Sequence, residues 1–202
     1  MKKIFTIALI GVALILSNQA EAQLLKWGLK GGVNFSSISG FGDNPVIEAT
    51  SSYTGWHVGP FLQVKLPIIA VQLDVLYTQQ GQEFTISSIK QNLEQSYILI
   101  PLVAKVSLIP LLNLQAGVQY GILTTAAVDG IDEFDFGDGN TVAVKDLFKS
   151  GDWSIVLGLG FDISKIMIDA RYNIGVSDLN AAALTSAELK NGVFQLSAGI
   201  KF

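Results

Sequence analysis

The sequence predicts an all-β protein, an eight-stranded antiparallel up-and-down transmembrane β-barrel that follows a cleaved N-terminal signal peptide. Three observations carry this. A secretory leader opens the chain. Segments of about ten to thirteen residues then alternate apolar and polar side chains, the spacing at which a strand shows opposite faces to opposite solvents. The connections between them alternate in length, short then long, as in membrane barrels.

The leader has a basic start at Lys2 and Lys3, an apolar run from Ile4 to Leu16, and the small-residue motif Ala20-Glu21-Ala22 before Gln23. The apolar run falls short of the roughly 20 residues a spanning helix needs, so an uncleaved anchor is the weaker alternative. The domains are thus a signal peptide, 1–22, and a barrel, 23–202. The chain has no cysteine, which excludes a lipidated N-terminus, disulfides and thiolate metal sites. Half the residues are apolar, yet after the leader no stretch approaches 18 consecutive apolar residues. Hydropathy dispersed by alternation is what a closed sheet in lipid requires. The remaining residues carry eleven basic against sixteen acidic side chains, net −5, a poor match to nucleic acid.

The first strand is read over Leu25–Ser36, with Trp27, Leu29, Val33 and Phe35 on one face and Lys26, Gly28, Lys30, Gly32 and Asn34 on the other. The second, Trp56–Leu66, turns Trp56, Val58, Leu62 and Val64 outward and His57, Phe61, Gln63 and Lys65 inward. The third, Ala70–Gln80, sets Val71, Leu73, Val75 and Tyr77 against Gln72, Asp74 and Thr78. In the fourth, Gln95–Val106, both faces are apolar, and Gln95 and Lys105 assign the odd positions to the interior. The fifth is Leu112–Thr124, the sixth Asp152–Ile163, the seventh Ile166–Val176 and the eighth Gly192–Phe202, all with the same alternation. Such lengths suit tilted strands crossing a bilayer.

Short turns are expected at Pro67–Ile69, Ser107–Leu111 and Ser164-Lys165, and long loops at about Ser37–Ser52, Gly81–Glu94, Thr125–Gly151 and Ser177–Asn191. The long loops belong outside the cell. This topology sorts outward aromatics into two membrane girdles: Phe35, Trp56, Tyr77, Tyr120 and Trp153 at the loop end, Trp27 and Phe202 at the turn end. Pro60 and Pro101 each forfeit a ladder hydrogen bond. A bulge is expected at Pro101, and Pro60 has no evident reason.

Eight strands enclose an interior that side chains fill, so a constitutive solute pore is not expected. The inward charges are Lys26, Lys30, Lys65, Lys105, Arg171 and Lys201 with Asp74, Asp162 and Asp169, and they read as a polar network plugging the lumen. A two-residue hairpin at Ser164-Lys165 would place Gly160 opposite Asp169 and Gly158 opposite Arg171, leaving room for the charged chains. A lipid-face change such as Leu157→Arg is expected to destabilise far more than a lumen change such as Gln115→Ser. His57, the sole histidine, has no Ser-His-Asp pattern around it, so no catalytic, cofactor or metal residues are assigned. The segment Asp129–Asn140 carries five carboxylates off the EF-hand spacing and reads as a solvated acidic loop, a candidate partner-binding surface.

GLKGGVNFS at 28–36, YILIPLVAKV at 97–106, GLGFDI at 158–163, DARYNIGVSDLN at 169–180 and QLSAGIKF at 195–202 together resemble the small outer-membrane barrel family of Bacteroidetes that includes PorT-like proteins. That resemblance covers nearly all of the chain after the leader. It implies an outer-membrane location, lipid as the surrounding partner, and a terminal aromatic, Phe202, like the signal read by the barrel-assembly machinery. Where the family often has a polar residue before its Ile-Pro, this chain has Leu99, which makes that part of the lumen apolar. The expected role is a non-enzymatic barrel presenting loops to an envelope, surface or secretion partner. A narrow channel or small-ligand or anion carrier using the basic lumen is the alternative.

Overall fold

In the computed structural model, residues 25–39, 47–86, 89–128, 133–135, 141–147, 150–177 and 190–202 are described. The leader, 1–22, lies outside them. So do residues 129–132 and 136–140 of the acidic segment, of which only the backbone of Glu133–Asp135, paired with Thr141–Ala143, is described.

Eight strands form the wall: β1 (Leu25–Ser39), β2 (Ile47–Lys65), β3 (Ile69–Asp74, continuing as Leu76–Ile86), β4 (Ile89–Ser107), β5 (Leu112–Val128), β6 (Gly151–Ile163), β7 (Ile166–Gly175) and β8 (Lys190–Lys201). Each pairs antiparallel with its sequence neighbour, and β8 pairs with β1 to close the ring. From Gly31, stepping across the pairs through Val58, Tyr77 and Ile98 arrives at Ile122 on β5. Stepping the other way through Ala198, Ile168 and Phe161 arrives at Leu112, ten residues lower on the same strand. That stagger tilts the strands and fixes a bore that side chains fill.

Closure inverts the usual burial. Away from the short-turn mouth, inward side chains are buried whether polar or not, and the outward face from Leu29 and Val33 round to Leu196 and Ile200 is apolar and exposed. The alternation predicted for all eight strands, including the odd-inward assignment of β4, is the one observed.

The third strand is interrupted at Val75, and the two prolines explain it. Val58 faces Tyr77 and Phe61 faces Asp74 in one register, so Pro60 stands opposite Val75 and has no N–H to give it, although Val75 N–H donates to Pro60 O at 3.0 Å. On the other side Leu73 faces Leu102 and Leu76 faces Leu99, which sets Ile100 against Val75 and Pro101 against Asp74, one residue before the break. The bulge expected at Pro101 is not there: its register with β5 runs unbroken through Pro101–Gln119. The shift lies between Ser96 and Tyr97, where Thr124 is the extra residue and its hydroxyl donates to Ser96 O at 2.8 Å.

Strands β2 to β5 are longer than expected. Gly81–Glu94, read as a loop, is mostly ladder, with Gly81 paired to Glu94 and Ile86 to Ile89. Polar residues on both faces looked like a loop, but a sheet that rises out of lipid needs no apolar face. At the other end the Ser164-Lys165 hairpin has the predicted register, Ile163 facing Ile166, with Ser164 in the left-handed region at φ 55°.

Candidate functional site

The candidate site is the lumen. Its centre is a cluster assembled from four strands. Asp74 on β3 accepts from Lys30 Nζ on β1 at 2.6 Å and from Arg171 Nη1 on β7 at 2.7 Å. Arg171 Nη2 reaches Asp169 at 3.3 Å, and Lys105 Nζ on β4 reaches the other Asp169 oxygen at 3.3 Å. Amides complete the coordination. Gln115 donates to Asp169 at 2.6 Å and accepts from Arg171 Nε at 2.8 Å, while Gln72 donates to Asp74 at 2.6 Å. Arg171 is 1% exposed and Asp74 0%, so the bore is occupied at this height.

The predicted glycines make the room. Gly158 faces Arg171 and Gly160 faces Asp169. A Cβ at Gly160 would run into Gln115 Nε2, Asp169 Oδ1 and Asn113 Oδ1, and one at Gly158 into the Ala170 carbonyl and the Arg171 side chain. Nearer the short turns, Lys201 Nζ meets Asp162 at 2.7 Å, and Asn113 donates to the same carboxylate at 3.1 Å. Lys26 and Lys65 stand at the mouth beyond these pairs; Lys26 is partly exposed and Lys65 exposed. Seven of the nine predicted lumen charges are thus brought into ion pairs, and these two form none among the described residues.

Toward the long connections the chemistry changes. His57 bridges three strands, Nδ1 to Asn34 Oδ1 at 2.6 Å and Nε2 to Ser197 Oγ at 2.7 Å. A serine therefore does lie beside the histidine, 140 residues away in sequence. All three side chains are buried, and with the bore filled around them the arrangement is a tie between strands rather than a nucleophile open to substrate. Past Arg171 the other wall holds Gln119, Asp152 and Asn173, and Gln195 stands opposite Asn34 on β8; each has a buried polar atom with no hydrogen-bond partner among the described residues. Leu76, Tyr97 and Leu99 pack together there, the apolar patch that Leu99 foretold.

On the outside, the aromatics lie at both rims and touch in pairs. Ring centroids are 4.8 Å apart for Trp27–Phe202 and Tyr120–Trp153, 5.6 Å for Trp56–Tyr77, and 6.3 Å for Phe35–Phe194. Sequence reading missed Phe194 and Tyr172, which face each other and extend the loop-end ring. It also missed the network amides Gln72, Asn113 and Gln115. Their inward parity was the available signal, but parity does not tell an amide that bonds a carboxylate from one that fills space. Among the described residues, no group of three or more His, Asp or Glu side chains could hold a metal ion.

A closed, sheared barrel with an ion-paired lumen and an apolar, aromatic-rimmed exterior defines the class of small outer-membrane barrels. The chain belongs to the outer membrane protein beta-barrel domain family, which matches residues 18–180. In fold it is similar to Ail, the attachment invasion locus protein of Yersinia pestis, at 16% identity with a TM-score of 0.51, covering 88% of this chain and 98% of that one. It is similar too to Neisserial surface protein A, at 13% identity and a TM-score of 0.51, covering 88% and 97%. No curated protein matches. The chain is an outer-membrane protein.

Proposed function

We propose that this barrel is a non-enzymatic outer-membrane anchor whose long-connection end is offered to an envelope, surface or secretion partner. The observation that carries the reading is the buried cluster of Lys30, Asp74, Lys105, Asp169 and Arg171, which fills the bore and leaves the rim as the place for recognition. The rim is built for it: β2 to β5 run on past the aromatic ring at Trp56, Tyr77 and Tyr120 into polar sheet, a rigid base for loops. Within the family, the motifs at 97–106 and 169–180 favour a place among the PorT-like proteins of Bacteroidetes.

In planar bilayers the purified protein is expected to carry no steady current. A stable open conductance would replace this reading with the second one, a narrow channel or anion carrier, which the excess of three cations over two carboxylates in the cluster favours. Orientation is tested in intact cells with a membrane-impermeant thiol reagent. Thr54→Cys, exposed on the rising part of β2, should label, and Ser164→Cys in the short hairpin should label only after lysis.

The outward band is read as the lipid face. Leu157, facing Ala116 and Tyr172 there, is the position to test: Leu157→Arg should cost roughly 2–4 kcal/mol of folding into vesicles. An effect near zero, measured by urea titration, would remove lipid from that face.

A further inference from the structure

The short-turn rim has two unlike sides. The β2–β3 turn, Leu66-Pro67-Ile68, and the β4–β5 turn, Leu108-Ile109-Pro110-Leu111, are apolar at the tip; the β6–β7 turn is Ser164-Lys165. Ile68 is 66% exposed, the most of any large apolar side chain among the described residues, and Leu108, Ile109 and Leu111 are each more than half exposed. The two apolar turns are neighbours, because β3 and β4 pair between them and Ser107 N–H donates to Ile68 O at 2.9 Å. They make one patch, continuous with Ile69, Val71, Leu102 and Val106 of the outward band.

Their backbone suits removal from water. Leu66 N–H bonds Ile69 O at 2.8 Å, Leu108 N–H bonds Leu112 O at 3.0 Å and Leu112 N–H bonds Ile109 O at 3.2 Å; Pro67 and Pro110 have no N–H at all. A turn with few unmet donors can enter an apolar medium at small penalty, which an ordinary polar turn cannot. Beside this patch the mouth is basic. Lys26 lies on β1 between the strand bearing Lys65 and the strand bearing Lys201, and Lys165 tips the third turn, against Asp162 alone among side-chain carboxylates there.

We propose that the two apolar turns are sunk in the periplasmic leaflet of the outer membrane, the barrel sitting deeper on the β2–β5 side, with the lysine side of the mouth at the level of the lipid phosphates. The occupant of the patch is lipid, because the patch continues the lipid face and its flank matches anionic headgroups. This rests on the reading of the outward band as the lipid face.

The chain has no cysteine, so single-cysteine variants carry a nitroxide at one place only. Ile109→Cys, Ser164→Cys and Leu157→Cys are refolded into phosphatidylcholine vesicles containing phosphatidylglycerol, and collision with oxygen is compared with collision with a water-soluble nickel complex. The expected oxygen-to-nickel ratio at Ile109 matches that at Leu157 and is several-fold above that at Ser164. If Leu157 reads as lipid and Ile109 as water, the inference is overturned while the lipid face stands. Ile109 shielded from both reagents would mean a second copy of the chain covers the patch, which also overturns it. If Leu157 reads as water, the lipid face fails and the inference fails with it.

Discussion

The lumen has two halves on either side of Arg171, and they are held by different chemistry. On the short-turn side charge meets charge, with Lys30, Lys105, Lys201 and Arg171 on Asp74, Asp162 and Asp169. On the long-connection side neutral groups prevail, with His57, Asn34, Thr78 and Ser197 knitted together, while Gln119 and Asn173 across the bore, and Gln195 opposite Asn34, each keep a buried hydrogen-bonding atom with no partner among the described residues. A buried charge stripped of its partner costs several kcal/mol, whereas an amide that already lacks a bond has less to lose. The charged half therefore fixes the barrel's interior, and the amide half is where the interior tolerates change.

The contrast is sharpest along β7. Arg171→Met leaves two carboxylates short of their shared cation and should cost about 3–5 kcal/mol, read from urea unfolding in vesicles. Asn173→Ala, two residues on, removes a side chain with no partner for either of its polar atoms among the described residues and should cost less than about 1 kcal/mol. Equal losses would mean that position in the wall, not charge pairing, sets the energetics. Gln115→Ser, expected from the sequence to cost much less than Leu157→Arg, falls between these two. Gln115 touches Asp169, Asn113 and Arg171, so its loss should cost about 1–3 kcal/mol, between the other two.

The partners of Gln115 mark where the sequence stops being legible. The period of two showed which residues face inward, because Lys30 or Asp169 pointing into lipid would be too costly to persist. The hairpin at Ser164-Lys165 even set the glycine–charge register, since a two-residue turn leaves a single pairing. Which charges meet across the bore was not legible. Lys30 and Asp74 are 44 residues apart and joined only through the barrel's stagger, which no local pattern encodes. The same limit hid Ser197 from His57. The polar tops of β2 to β5 were misread for a different reason: hydropathy locates a membrane slab, and a strand does not end where the slab does.

The smallest effect tests the amide half most directly. Gln119 is buried on β5, four residues beyond Gln115, and its Oε1 finds no donor among the described residues. Gln119→Leu keeps most of the volume and removes the orphan, so stability in vesicles should stay within about 0.5 kcal/mol or rise. The paired control on the other wall is His57→Leu, which strands Asn34 Oδ1 and Ser197 Oγ and should cost about 1–3 kcal/mol. A large loss at Gln119 would show that its amide is satisfied by ordered water, and the amide half would then be as tightly specified as the charged one. The predicted difference between the two substitutions follows only if unmet amides mark slack in the packing, which makes this pair the finest division of the lumen that stability measurements can make.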